Sequence, residues 1–250
     1  MERMRTSMMK QAPAKGFTSS LSLIATNYAY RCDAKFADES IRTVLKKIEE
    51  CGFFMLGEYL PKPFAKGIQP DYLEQPTDDS VRVVSTLAIQ NLSIIESVCR
   101  HIAREDYDGL TEERRLKLGD VLLTVDGGVS IGKPCHFEID SDCTMDSHVV
   151  VLRPDGLSPL ALVYLLASPL GQMQFRRAES GASGQTTVTE DDVRRFVFPR
   201  ALLSSIDSMA THIEAERKRI ATEREKLMAE EAALWSSLSS FIGREQRDVD

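Results

Sequence analysis

The spacing of apolar and polar positions divides the chain into a body and a rod. Ile41, Val44, Leu45 and Ile48 recur at i, i+3, i+4 and i+7, which predicts a helix over Ala37–Cys51 with one apolar face. Asp38 can cap that helix and Gly52 can end it. Residues 53–80 read as strands and turns, because Pro61, Pro63, Pro70 and Pro76 exclude a long helix. The runs Val81–Val84, Val121–Val125 and Val149–Leu152 are apolar and bounded by polar or glycine residues, so they predict strands. Two short helices follow, each with serine before proline: Ser158-Pro159 and Ser168-Pro169. Proline is tolerated at the first helical position, where the preceding serine can cap free N–H groups. Gly181 is expected to end the second helix, and Ser180–Thr187 to form a loop of small residues. A third short helix is expected from Thr189, with Glu190, Asp191 and Asp192 at its positive end and Arg194 and Arg195 at its negative end. Phe196-Val197-Phe198 then runs into Pro199.

The rod begins at Ser204. From there to Ile242 the chain has neither glycine nor proline; Ser204 and Asp207 form a capping-box-like start, and Gly243 is expected to stop the helix. Such a helix is about 57 Å long at about 1.5 Å per residue. Ile206, Ile213, Ile220, Leu227, Leu234 and Phe241 form one apolar column at every seventh residue, the mark of packing against another long helix. The adjoining column, Ala221, Met228, Trp235 and Ile242, is apolar only in its second half. An antiparallel pair or a mixed bundle fits this pattern better than a parallel zipper. The alternative is a solvated helix lying on its own domain.

Of the 250 residues, 42% are hydrophobic and 28% charged, enough apolar material for a packed core and against global disorder. The net charge of −7 argues against a nucleic-acid binder, but it is unevenly placed. Residues 101–150 hold eleven Asp/Glu against five Lys/Arg, and residues 151–200 hold five against six, so a local basic face remains open. No apolar stretch is long enough to span a bilayer and Met1–Gly16 lacks a signal core, so a cytoplasmic location is expected. The odd set Cys32, Cys51, Cys99, Cys135 and Cys143 does not suggest a disulfide framework. Cys135, His136, Cys143 and His148 invite a metal reading, but their spacing matches no Cys-x-x-Cys pattern.

Gly127-Gly128-Val129-Ser130-Ile131-Gly132-Lys133-Pro134 fits the first seven positions of a phosphate-binding loop and follows an apolar run. Position eight is proline where a magnesium-binding hydroxyl belongs, and residues 135–148 lack the amphipathic helix that should follow. Asp120 and Asp126 flank a strand six residues apart and read as turn and strand-end residues. No other pattern suggests a catalytic centre.

Several motifs, in order, carry a family resemblance. Leu118-Gly119-Asp120-Val121-Leu122 followed by Gly128-Val129-Ser130-Ile131-Gly132-Lys133 resembles the pattern "L-x-x-G-D-I-L, then G-x-I-G-K" of type I restriction–modification specificity subunits. Asp146–Pro154 is similar to the strand that follows it, and Tyr164–Gln172 to the helix pair "Y-L-x-x-x-L-x-S-P-x-G". Ser180–Val188 resembles the "x-G-S-x-Q" loop and Phe198-Pro199 the exit before the spacer helix; Arg31-Cys32-Asp33 and Gly67–Tyr72 resemble the opening. The match extends over residues 27–242. Asp126 departs from the basic or polar residue common there, and Phe198-Pro199-Arg200-Ala201 from Pro-x-Pro then Glu-Gln. Family members usually carry two recognition domains and two spacer helices, whereas this chain has room for one of each, as in a half-subunit.

The resemblance implies an α/β fold: a β-rich mixed target-recognition domain followed by one long C-terminal coiled-coil-like helix. The boundaries it suggests are a disordered tail at 1–16, the recognition domain at 17–202, a spacer and dimerisation helix at 203–243 and a tail at 244–250. It implies a non-catalytic subunit on double-stranded DNA, without a cofactor of its own. S-adenosylmethionine would sit in a partner DNA adenine methyltransferase subunit that flips the base, and a restriction endonuclease subunit is a further expected partner. Pairing of two such helices suggests a homodimer. Phosphate contacts set register and base-edge contacts carry sequence information. The candidates for base contact are Arg82, Gln90, Asn91, Gln174, Arg176, Arg177, Gln185 and Thr186, with Lys66 and Lys133 for phosphate. Arg176 and Arg177, beside the 180–187 loop, form the best cluster. Two rival readings remain: a nucleotide-binding enzyme using the 127–133 loop, and a coiled-coil scaffold without DNA binding.

Overall fold

The structure, a computed structural model, describes Asp33 and residues 35–127, 130–182 and 185–245. The expected 1–16 tail, Arg31, Cys32, Gly128, Val129, Ser183 and Gly184 lie outside the described residues. Helix α1 (Glu39–Cys51) leads into β1 (Phe53–Met55), a 3₁₀ turn (Leu56–Tyr59) and β2 (Ala65–Lys66). Next come β3 (Val81–Val84), the hairpin β4 (Ile89–Gln90) and β5 (Ser93–Ile94), β6 (Arg100–Ile102) and α2 (Arg104–Asp108). Strands β7 (Val121–Thr124), β8 (Pro134–His136), β9 (Cys143–Met145) and β10 (Val149–Leu152) precede α3 (Pro159–Ala167) and α4 (Pro169–Ala178). The body closes with β11 (Ser180–Ala182), β12 (Gln185–Thr187), α5 (Glu190–Arg194) and β13 (Val197–Pro199), and then α6 (Ile206–Glu245) leaves it. The fold is therefore mixed α/β, with a β-rich body and one long C-terminal helix.

Two sheets organise the body. One is antiparallel in the order β2-β10-β7-β8; the other, β6-β3-β9, contains a parallel pairing of β3 with β9. Strands β7 and β10 are buried along their whole length. Their side chains alternate between two cores: Val121, Leu123, Val150 and Leu152 join α3, α4 and β13, while Leu122, Val149 and Val151 join Cys135, Phe137, Cys143 and Met145. This explains why these strands read as continuous apolar runs rather than as alternating ones. The sheets meet at Gly67, whose N–H donates to the Val149 carbonyl while Ile68 N–H donates to Met145. A Cβ at Gly67 would collide with the Asp146 and Met145 carbonyls, so only glycine lets the backbones approach there.

The local signals explain most helix starts. Asp38 accepts from Ser40 and Ile41 N–H, Ser158 caps α3 and Ser168 caps α4. Thr189 and Asp192 form a capping box on α5. Ile41, Leu45 and Ile48 bury the α1 face against Phe53, Met173 and Val197, whereas Val44 is 40% exposed, off the face expected for it.

Three expectations are corrected. Helix α4 ends at Ala178 with Glu179 as its C-cap, and 180–182 and 185–187 pair as β11 and β12 where a loop was expected, across Ser180↔Thr187 and Ala182↔Gln185. Ser204 lies in a 3₁₀ turn (Arg200–Ser204) and caps nothing; α6 starts at Ile206, and Asp207 instead accepts from Ser158 N–H. Gly243 does not stop the helix, which continues to Glu245.

Helix α6 docks on the body only by its first turns. Ile206 and Ala210 are buried in the main core, and Tyr164 of α3 donates to Glu214 at 2.6 Å. Beyond that point Ile213, Ile220, Leu227 and Leu234 are 39%, 43%, 56% and 72% exposed, with Met228 and Trp235 beside them. The Phe241 side chain lies outside the described ones. The heptad column is thus covered by the body at Ile206 and, among the described residues, exposed from Ile213 to Leu234. Among the described residues no helix is long and apolar enough to cross a membrane.

At the far end of the sheet, Asp120 is buried and takes both arms of Arg153, Nε at 2.7 Å and Nη2 at 2.8 Å, while accepting from Lys117 N–H at 2.9 Å. This bidentate pair ties the start of β7 to the end of β10. Asp120→Ala leaves the guanidinium without its partner. The expected loss is about 3 kcal/mol of unfolding free energy, the low end for a buried pair because the Arg153 side chain is still 25% exposed. Urea unfolding of the variant against the wild-type chain checks it.

Candidate nucleic-acid interface

The antiparallel order of the main sheet brings four strand ends together. There β2 ends at Lys66, β7 ends at Thr124, β8 begins at Pro134 and β10 begins at Val149. The β11–β12 hairpin joins them, because Asp126 bridges to Thr187, Gly127 N–H donates to Thr186 and Val188 N–H donates to Val125. Lys66, Asp126, Lys133, His148 and the hairpin are thereby neighbours, though they lie up to 120 residues apart in sequence.

Charge at this end is organised around Asp126. Its carboxylate takes Lys66 Nζ at 2.8 Å and faces His148 Nδ1 at 4.0 Å. Partial burial pushes this carboxyl up, but the hydrogen bonds from Lys66 and Thr187 and the Lys66 charge outweigh it, and the group sits below the usual value of 3.8. Asp146 behaves oppositely: burial holds it above the usual value, although it accepts His148 N–H at 2.9 Å. It is a turn-forming carboxylate. Ser147 Oγ donates to Gln69 Oε1 at 3.2 Å, joining the β9–β10 turn to the loop after β2.

Gly127 and residues 130–133 lie between β7 and β8. Gly132 has φ +77 and the Phe175 ring lies 2.9 Å from where a Cβ would stand, so this position needs glycine. Thr124 Oγ1 donates to the Ser130 carbonyl and accepts from Lys133 N–H, and Gln172 donates to the Gly132 carbonyl at 2.7 Å. A strand follows Lys133 where a phosphate-binding loop needs a helix N-terminus, so the geometry of that motif is lacking. The Lys133 ammonium makes no ion pair among the described residues. Lys133, Gln172, Leu87, Gln90 and Asn91 line a groove under the β4–β5 hairpin.

The sequence-derived candidates separate on this geometry. Lys66, Lys133 and Thr186 gather at the loop end, and Gln90 and Asn91 border it across the groove. The Gln185 side chain lies outside the described ones. Gln174 is corrected: it is 5% exposed and its amide is spent on the Val197 backbone, donating at 3.0 Å and accepting at 2.8 Å. The Arg176/Arg177 cluster is also corrected. Arg177 lies over the Phe36 ring at 4.3 Å and donates to the Phe36 carbonyl, so its own chain covers it, while Arg176 is exposed near Asp38. Thr186 donates to Glu179, which also holds Lys35. Arg82 sits on the other sheet between Ser141 and Glu96.

His148, Gln69 and Ser147 were missed as site residues, and only the Asp146-Ser147-His148 turn ahead of an apolar run could have signalled them. Among the described residues, no cluster of three or more His, Cys, Asp or Glu could hold a metal. Cys135 and Cys143 are buried, and burial pushes both thiols up.

No protein-family model matches the chain, and no curated protein does. Solved structures do. A structure of the type I R-M system, described for its complex assembly and conformational transition, aligns over 75% of this chain and 52% of its own, at 17% identity and TM-score 0.43. The type I restriction–modification S subunit from M. genitalium aligns over 68% and 40%, at 11% identity and TM-score 0.46. The HsdS subunit from Thermoanaerobacter tengcongensis aligns over 72% and 46%, at 15% identity and TM-score 0.43. The chain spans about half the length of these structures.

The depressed Asp126 carboxyl has a pH consequence. A group whose folded value lies below its unfolded one stabilises the fold fully above the unfolded value, here 3.8, and that contribution is lost as pH falls through the folded value. Asp126→Asn is therefore expected to flatten the acid side of the stability profile. Urea midpoints of variant and wild type between pH 2 and 6 (about two units either side of the ordinary carboxylate range) test this, and parallel curves count against it.

Proposed function

We propose that this chain is a single-module DNA sequence-recognition subunit of a type I restriction–modification complex, without a catalytic centre of its own. The observation that carries this reading is the loop end of the main sheet. Lys66, Lys133 and His148 share it with the polar β11–β12 hairpin, on a rigid scaffold whose register is held from the other end. The motifs that carry the family resemblance give this end its form: Gly128–Lys133 spans the β7–β8 turn, Asp146–Pro154 contains β10 and Ser180–Val188 contains the hairpin. In this role Lys66 and Lys133 engage phosphates and set register, while Gln90, Asn91 and Gln185 face base edges. Chemistry belongs to a partner adenine methyltransferase subunit, which brings S-adenosylmethionine, and DNA cleavage to an endonuclease subunit. Helix α6 docks those partners and pairs with a second copy through its outward apolar column. A two-fold dimer of this kind reads two half-sites at a constant separation, a bipartite palindrome. A cytoplasmic location follows from the substrate.

The net charge of −7 and the outward column favour one rival, a coiled-coil scaffold that ignores DNA. Salt dependence separates the two, because each phosphate contact releases counterions. Lys66→Ala and Lys133→Ala are each expected to weaken duplex binding and to lower the slope of log affinity against log salt by about 1. The assay is fluorescence anisotropy on labelled duplex, with the methyltransferase subunit present. Binding that is absent in the wild type, or indifferent to salt, favours the scaffold. ATP–magnesium binding lost in Lys133→Ala would favour the nucleotide-binding reading.

A further inference from the structure

Past the apolar seat of Ile206 and Ala210, the rod meets the body again at one turn of α6, where the contacts are polar. Arg217 Nη1 donates to Glu214 at 2.7 Å and to the Tyr164 hydroxyl at 3.3 Å. Its Nη2 donates to the Asn91 carbonyl. The neighbouring Lys218 reaches Glu138, just after β8, at 3.0 Å. Among the described residues the ion pairs of α6 beyond Lys218 stay within the helix. Among the described residues this is the last turn of α6 from which an ion pair reaches the body.

Asn91 is an unusual partner. It and Leu92 form the two-residue tip of the β4–β5 hairpin, with φ of 49 and 63. A tip with both central residues left-handed normally ends in glycine; here the second residue is leucine, packed against the main core. A left-handed leucine persists only where its surroundings hold it. The Arg217 contact supplies one such restraint, on the preceding carbonyl. On the other side of the hairpin, Gln90 and Asn91 line the groove shared with Lys133.

We infer that Arg217 is a positioning residue that couples the angle of the rod to the conformation of the β4–β5 hairpin. One planar guanidinium spans three elements: α3 through Tyr164, α6 through Glu214 and the hairpin through Asn91. Lysine, whose three donors all radiate from one nitrogen, does not reproduce the spread of the planar guanidinium fork. When the rod tilts, the hairpin beside the groove loses its restraint; when the groove is filled, the rod is held. The consequence for DNA rests on the proposed function above, whereas the mechanical coupling does not.

The test uses the full chain. Spin labels on the exposed Cys51 and on Ser236→Cys, in a Cys32→Ser background diluted with unlabelled protein, report the rod angle by pulsed electron resonance. Hydrogen exchange of residues 89–94 reports the hairpin. In Arg217→Ala the label distance is expected to broaden and hairpin exchange to accelerate roughly ten-fold, with the melting temperature of the body nearly unchanged. Arg217→Lys is expected to keep the distance close to wild type but to speed hairpin exchange, and it decides the matter if the alanine variant fails to fold. Coupling is overturned if either the distance or the exchange is unmoved in Arg217→Ala, or if Arg217→Lys matches wild type in both. Duplex affinity is expected to fall roughly five-fold in Arg217→Ala. A wild-type chain that ignores DNA removes the recognition reading but leaves the distance and exchange results to decide this one.

Discussion

Strands β7 and β10 have no free face. Val121, Leu123, Val150 and Leu152 enter one core, while Leu122, Val149 and Val151 enter the other. A slip of one residue in their pairing would exchange the two sets, so register is specified from both sides at once. The Asp120–Arg153 pair locks the same two strands at one end. Everything at the opposite end inherits that register: the β7–β8 turn with Lys133, the Asp146–His148 turn and, through Gly67, the loop after β2 with Lys66.

That inheritance gathers Lys66, Lys133 and His148 at one end of an acidic chain. Glu112, Glu113 and Asp120 cluster around Lys117 and Arg153 at the locked end, where they serve the fold. At the loop end one carboxylate is paired with Lys66 and another is buried in a turn. The total of −7 is thus a poor guide to the local field, because acid at the far end of a sheet is separated from the loops by the strands and largely screened by salt.

Helix α6 obeys a different rule. Its first turns belong to the main core, and its last contacts with the body are the polar ones of Arg217 and Lys218. Thereafter Ile220, Leu227 and Leu234 are exposed among the described residues. A column of that spacing matches the repeat by which long helices pack together.

Local chemistry alone determined the helix starts at Asp38, Ser158, Ser168 and Thr189 and the apolar strands β3, β7 and β10, since caps and periodicity act within a few residues. The rod was equally legible, because an uninterrupted heptad column needs no partner to be seen. The roles of single polar residues were not. Gln174, Arg177 and Thr186 look like free readers of DNA in the sequence, yet each is spent on a group that folding brings from elsewhere: Val197, Phe36 and Glu179. The β4–β5 hairpin escaped notice because Leu92 stands where a turn of that type calls for glycine, and only packing against a distant core makes it tenable. A hydrogen bond or a left-handed leucine depends on what lies across space, and that is decided when the two cores close, not when the residues are strung together.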